Sequence, residues 1–339
     1  MKACLFKRVA VSTSLIMSLG VPATSMALEA PSIKAQGSVD FRMFKDGEGD
    51  YKSDVRTKNV EILISQKLAE NIRAVIKLEF ERQLIKAGEE VSSEFDLEKA
   101  IEAAFIEIKN IGGTPTAIIV GKHVMAYGEV MSKMPIPQDS PLHGLNFEGG
   151  MIGVTLKLNK DFFGIFDSVE ASFFETEKGD LQIGSVDGAS VKLSKKITEK
   201  IRVHVSGLHK GNGDNDALED DDRVGVGVVY NDGTYTAFVE GHGLIHSSQY
   251  PDAKFAFQGG VSRELGPGQI AMEASYIDNY LTQLGIGYNL YLTQNVTFGP
   301  EIRYTWYDEK QDKEDGFTFG ARTTVKFGHP DKHDKTLLK

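Results

Sequence analysis

The sequence predicts an all-β fold, a transmembrane antiparallel β-barrel of about 16 strands. Three observations predict it. Apolar and polar residues alternate with a period of two in one segment after another. The connectors between those segments run short and long in turn. Beyond the N-terminus, no stretch approaches the roughly 18 consecutive apolar residues of a transmembrane helix.

Positions 1–27, "MKACLFKRVAVSTSLIMSLGVPATSMA", place Lys2, Lys7 and Arg8 ahead of a short apolar run that closes with Pro22, Ser25 and Ala27. This is the pattern of a secretory signal peptide, with cleavage expected after Ala27. Cys4, the sole cysteine, lies inside it, so the exported chain is expected to have neither a disulfide nor a thiolate site. The formal charge of −10 becomes about −13 without the three basic residues of the leader, which argues against nucleic acid as a partner.

The barrel is expected over 28–327. Its first strand is "IKAQGSVDFRMFK". Ile33, Ala35, Val39, Phe41 and Met43 should face lipid, with Lys34, Asp40 and Arg42 facing a wet interior. Next come "NVEILISQKL" and "RAVIKLEFER", the latter with Ala74, Ile76, Leu78 and Phe80 opposite Arg73, Lys77, Glu79 and Glu81. "IEAAFIEIKN", "TAIIVGK", "MIGVTLKL", "VEASFFE", "ASVKLSK" and "IRVHVSGLH" follow. The series ends with "VGVGVVYN", "YTAFVEGH", "AKFAFQGGVSR", "QIAMEASYI", "TQLGIGYNL", "VTFGPEIRYTWY" and "GFTFGARTTVKF". Between them, short connectors such as "AEN", "NDG" and "ELGPG" alternate with long acidic ones such as "KDGEGDYKSD" and "KGNGDNDALEDDD". Short turns at one end and long loops at the other are the habit of a membrane barrel. Backbone polar groups cannot stay unpaired in hydrocarbon, so such a sheet must close. About 16 strands leave an aqueous interior rather than a packed core.

On this register Arg42, Lys77, Lys122, Arg202, Arg303 and Arg322 point inward, as do Asp40, Glu79, Glu240, Glu273 and Glu301. Such charges either solvate a wide interior or set up a field that sorts solutes. Three other motifs read as structural. The glycines of "GVGVVYNDG" lack the spacing and helix of a nucleotide loop. "DNDALEDDD" lacks the spacing of a calcium loop, and a solvated acidic loop is favoured. His242 and His246 in "GHGLIHSS" are four apart on a strand end and loop, where they do not converge on a metal. No cofactor, metal ligand or catalytic residue is assigned. Hydrolase activity, or a structural or adhesive role, is the alternative reading.

The chain as a whole resembles the Gram-negative porins, in which the third external loop is the longest and folds into the lumen. Here the third external connector, "HVMAYGEVMSKMPIPQDSPLHGLNFEGG", is the longest in the chain. A narrower likeness, on Gly121, Lys122, Tyr127, Gly128, Asp139, Pro141 and Leu142, is to the LbtU-type siderophore-porin branch, with Ser140 inserted between Asp and Pro. The resemblance implies passive diffusion of small hydrophilic solutes and ions across an outer membrane, with iron–siderophore complexes as a candidate cargo. It also implies a constriction carrying Glu129, Lys133, Asp139 and Glu148, facing the wall residues Asp40, Arg42, Lys77, Glu79, Lys122, Arg303 and Arg322. An acidic loop opposite a partly basic wall would make the pore weakly cation-preferring. Whether barrels associate as homotrimers is left open. Porins usually end on an aromatic residue. Here Phe327 holds that place, and a polar tail over 328–339, "GHPDKHDKTLLK", follows it.

Overall fold

A computed structural model describes residues 30–45, 51–80, 100–129, 132–142, 145, 151–159, 165–175, 186–211, 221–311 and 313–328, with backbone alone at 45, 56–59 and 138. The leader, the polar tail beyond Gly328, Glu148 and most of "DNDALEDDD" lie outside the described residues.

Sixteen strands follow one another in the chain. They are β1 (Ser32–Lys45), β2 (Tyr51–Ala69), β3 (Ile72–Glu79), β4 (Ile101–Lys109), β5 (Thr116–His123), β6 (Met151–Leu158), β7 (Ser168–Glu175) and β8 (Gly188–Lys196). The second half comprises β9 (Ile201–Lys210), β10 (Asp221–Asn231), β11 (Tyr235–His246), β12 (Phe255–Leu265), β13 (Gly268–Ile277), β14 (Leu281–Tyr291), β15 (Val296–Tyr307) and β16 (Gly316–Phe327). Each strand pairs antiparallel with the next, and β16 returns to β1 through pairs such as Asp40 with Arg322, so the barrel is closed. Closure leaves no sheet edge with unpaired backbone.

The period-two pattern sorts the side chains as expected. On β1, Ile33, Val39 and Phe41 are exposed outside, while Lys34, Gln36, Ser38 and Asp40 are buried inside. On β10, Val224, Val226 and Val228 face out, and Arg223, Gly225 and Gly227 face in. Aromatic residues gather on the outer face toward one end of the strands. Trp306 and Phe317 both meet the Tyr304 ring edge-on with centroids 4.5 Å apart, and Phe255 stacks on Tyr276 at 5.8 Å. Among the described residues no helix is long and apolar enough to cross a membrane, which says nothing against strands doing so.

The hairpin β1–β2 extends further than the sequence predicts. Residues 51–54, expected in a connector, continue β2 and pair up to Lys45–Tyr51. Beyond the apolar band both faces of a hairpin are wet, so no alternation betrays the strand there. At the opposite end the "NDG" turn is built around Asp232. Its Oδ1 accepts the amides of Thr234 at 3.0 Å and Tyr235 at 2.8 Å, and Gly233 takes φ 90°. These bonds, that of Tyr235 foremost, hold the Asp232 carboxyl below its ordinary range.

Candidate functional site

The connector after β5 meets inward-facing side chains on many strands. Its root is pinned where β5 ends. His123 bonds Thr155 Oγ1 at 2.6 Å, Thr155 bonds Ser172 at 2.7 Å, and the Ala126 amide donates to Ser172 Oγ at 3.1 Å. The Gly128 amide donates to Ser206 on β9, and its carbonyl accepts Lys192 Nζ of β8 at 2.7 Å. The Tyr127 hydroxyl hydrogen-bonds His242 Nδ1 of β11 at 3.0 Å. Two inner-face glycines make room here. A Cβ at Gly225 would lie 2.8 Å from Ser206 Oγ and 3.3 Å from His242, and one at Gly227 would overlap the His204 ring.

Glu129 then joins the wall directly. Its amide donates to Glu240 Oε1 at 3.0 Å, its carboxylate pairs with Arg202, and His204 Nδ1 stands 3.5 Å away. His204 Nε2 also bonds Glu240 at 3.0 Å.

Further on, the Lys133 carbonyl accepts Asn289 of β14 at 2.9 Å, an interaction of its backbone. The Ile136 amide donates to Glu301 at 2.8 Å, and its carbonyl accepts Arg303 at 2.8 Å, both on β15. Asp139 closes on Arg42 of β1 at 2.8 Å, and Arg42 also holds Asp54 of β2 at 2.9 Å.

The return arm is apolar. Leu142 and Leu145 are fully buried with Leu244, Ala253, Ala256 and Ile277, under Tyr250 and Tyr280. The Tyr250 hydroxyl donates to the Pro141 carbonyl at 3.0 Å, and Arg223, paired with Asp221, donates to the Leu145 carbonyl at 2.9 Å. Burial pushes the Tyr250 phenol up to about 12.

The remaining wall residues are mostly in pairs. Arg322 spans both oxygens of Asp40 at 2.6 Å. Arg303 pairs with Glu301 at 2.8 Å and lies 3.7 Å from Glu273. Lys77 reaches Glu61 at 3.1 Å and Glu102 at 2.6 Å. Lys122 donates to the Ile101 carbonyl at 2.6 Å. Glu61, Glu79 and Glu102 have carboxylate oxygens within 4.8 Å of one another, and the Lys77 ammonium bridges two of them, Glu61 and Glu102.

Geometry corrects one expectation. The sequence sets acidic loop residues against Arg42 and the wall across a gap. Instead Arg42 and Asp139 touch, and so do Glu129 and Arg202. These charges neutralise each other locally, which weakens any field between them. His242 and His246 diverge as expected: one is buried against Tyr127, the other exposed on Asp222 beside His209. Sequence reasoning missed Glu102 and Asp54. Glu102 turns inward at a register shift between β3 and β4, and Asp54 lay in an assumed loop. It also missed Ser206, which carries no local signal, and it gave Tyr127 no partner on the wall.

No family model matches the chain, and no curated protein matches it. Solved structures do. A mutant of the Rh. blastica porin is 13% identical with a TM-score of 0.59, covering 88% of this chain and 100% of that one. The Salmonella typhi OmpF complex with daunomycin is 13% identical with a TM-score of 0.58, covering 87% and 97%. The trimer form of OmpT, an outer membrane protein of Vibrio cholerae, is 12% identical with a TM-score of 0.55, covering 88% and 100%. What the chain shares with these outer-membrane proteins is the 16-stranded antiparallel barrel.

Proposed function

We propose that the protein is an outer-membrane porin through which small hydrophilic solutes and ions diffuse passively, not an enzyme. The observation that carries this reading is the path of the connector between β5 and β6, over its described residues 124–129, 132–142 and 145. In a closed barrel with an apolar outside and a charged inside, that segment bonds inner-face groups from β7 round to β1. A loop so placed narrows the bore, and Glu129, Lys133, Asp139 and Glu148 are its proposed charged residues. The leader 1–27 directs export, 28–327 forms the barrel, and 328–339 is an appended tail. Iron–siderophore complexes are the finer proposal for cargo. A homotrimer is the proposal for assembly, in keeping with the trimer form of the Vibrio cholerae OmpT.

Single-channel recording on refolded protein tests the reading. Discrete conductance steps are expected, and deleting Met131 to Gln138 should enlarge them. A protein that inserts but never conducts would sink it. Flux of ferric siderophore against the free chelator tests the cargo.

A further inference from the structure

The segment Met134–Pro135–Ile136 is apolar and buried, yet it crosses an interior lined by charge. What receives it is a patch of inner wall without side chains. Gly285 and Gly287 lie on β14, Gly299 on β15 and Gly320 on β16. Register interleaves them with Glu301, Arg303 and Arg322: Gly285 pairs with Arg303, Gly287 and Gly320 with Glu301, and Gly299 with Arg322. A Cβ at Gly285 would come 2.9 Å from Met134 Cε. One at Gly299 would come 2.6 Å from Pro135 Cβ, and one at Gly320 2.7 Å from Ile136 Cδ1. At Gly287 it would overlap Pro135 Cδ.

Glycine weakens a strand, and inside one it marks a close approach of other backbone. Here the cost falls at four neighbouring inner-face positions that meet one tripeptide. The polar groups around them complete the fit. Glu301 and Arg303 take the two backbone groups of Ile136, and Asn289 takes the Lys133 carbonyl. Buried backbone groups need such partners.

We infer that Gly285, Gly287, Gly299 and Gly320, with Glu301, Arg303 and Asn289, form a socket that fixes the tip of the inward connector and so sets the width of the passage. These are positioning residues: they act through Met134–Ile136 on whatever permeates. The inference rests on the channel reading above.

The test uses the full chain carrying Cys4→Ser, with Ile136→Cys and Gly320→Cys. The Ile136 side chain is directed at Gly320, its Cδ1 2.7 Å from where a Cβ would stand, so two cysteines there should come within reach of the roughly 3.5–4.5 Å Cβ separation of a disulfide. Oxidation should cross-link most chains, and adding reductant should leave conductance unchanged. In parallel, Gly287→Val with Gly299→Val fills the socket while favouring the strand, and should raise conductance toward that of the tip deletion. Gly207→Val, on the outer face with Val191 3.7 Å away, should change nothing. A conducting chain that fails to cross-link overturns the socket, as does a filled socket with unchanged conductance. Efficient cross-linking in a barrel that never conducts would support the socket and overturn the channel reading instead.

Discussion

Asp40 and Arg322 show what a single inward-facing pair contributes. They sit opposite each other where the last strand meets the first, and both are buried. Asp40→Ala would leave a guanidinium unpartnered at the closing seam, at a cost of about 3–5 kcal/mol for a broken buried pair. A urea titration of the variant should show that loss, and an unchanged midpoint would mean that water solvates Arg322 there. Asp139→Asn acts differently. It removes one of two partners of Arg42, so the reversal potential under a salt gradient should move toward anions while stability hardly changes. Tyr250 gives a pH signature. Its phenol is raised from 10.0 to about 12, so the folded state holds it neutral. The stabilisation is complete below pH 10 and is lost as pH climbs from there through about 12. The return arm should therefore loosen over that window, and conductance should rise there in the wild type but not in Tyr250→Phe.

At the scale of the strand, the same residue type means opposite things on the two faces. Ile76 on β3 and Val226 on β10 project outward. Arg at either should destabilise a bilayer-embedded barrel by about 2–4 kcal/mol if it lies near the midplane. Arg at Ser65, on the inner face of β2, should be nearly silent. Folding into vesicles measures both, and equal effects would refute the inside–outside assignment. The inward connector is an element of another kind. Among its described residues the internal hydrogen bonds are short-range, in the 3-10 turn Pro137–Asp139 and between Tyr127 and Met125, Met134 and Ser132, and Leu145 and Leu142, and the longer-range bonds go to the wall. Three anchorages hold it: hydrogen bonds at the root, glycines and a carboxylate–guanidinium clamp at the tip, and buried leucines on the return. A loop held at three places is expected to stay put rather than flicker, so open-channel noise should increase when any one is removed.

For the whole molecule, closure is the governing constraint. Every strand depends on two neighbours, and β1 with β16 is the longest-range pairing in the chain, so the barrel cannot be complete until its two ends meet. Phe327 terminates β16 and is exposed outside. Truncation after Gly328 leaves all sixteen strands intact, and the refolded protein should keep its conductance. Loss of folding on truncation would give the tail a structural part.

The sequence by itself determined a membrane barrel of about 16 strands and the faces of the residues it assigned, such as Val39 and Phe41 outside with Asp40 inside. Within the membrane band, a lipid-like outside and a wet inside impose a period of two that is legible locally, strand by strand. It also singled out the third long connector by length alone. Only the tertiary structure decided which charges meet. Arg322 finds Asp40 across 282 positions, and Arg42 finds Asp139 across 97. Such pairings depend on where the barrel closes and on the route of the inward connector, neither of which has a local period. The socket glycines illustrate the boundary. In the sequence Gly287 and Gly320 look like any small residues of a barrel strand, and what they make room for is supplied by a loop more than a hundred residues away, brought there by the closure of the sheet.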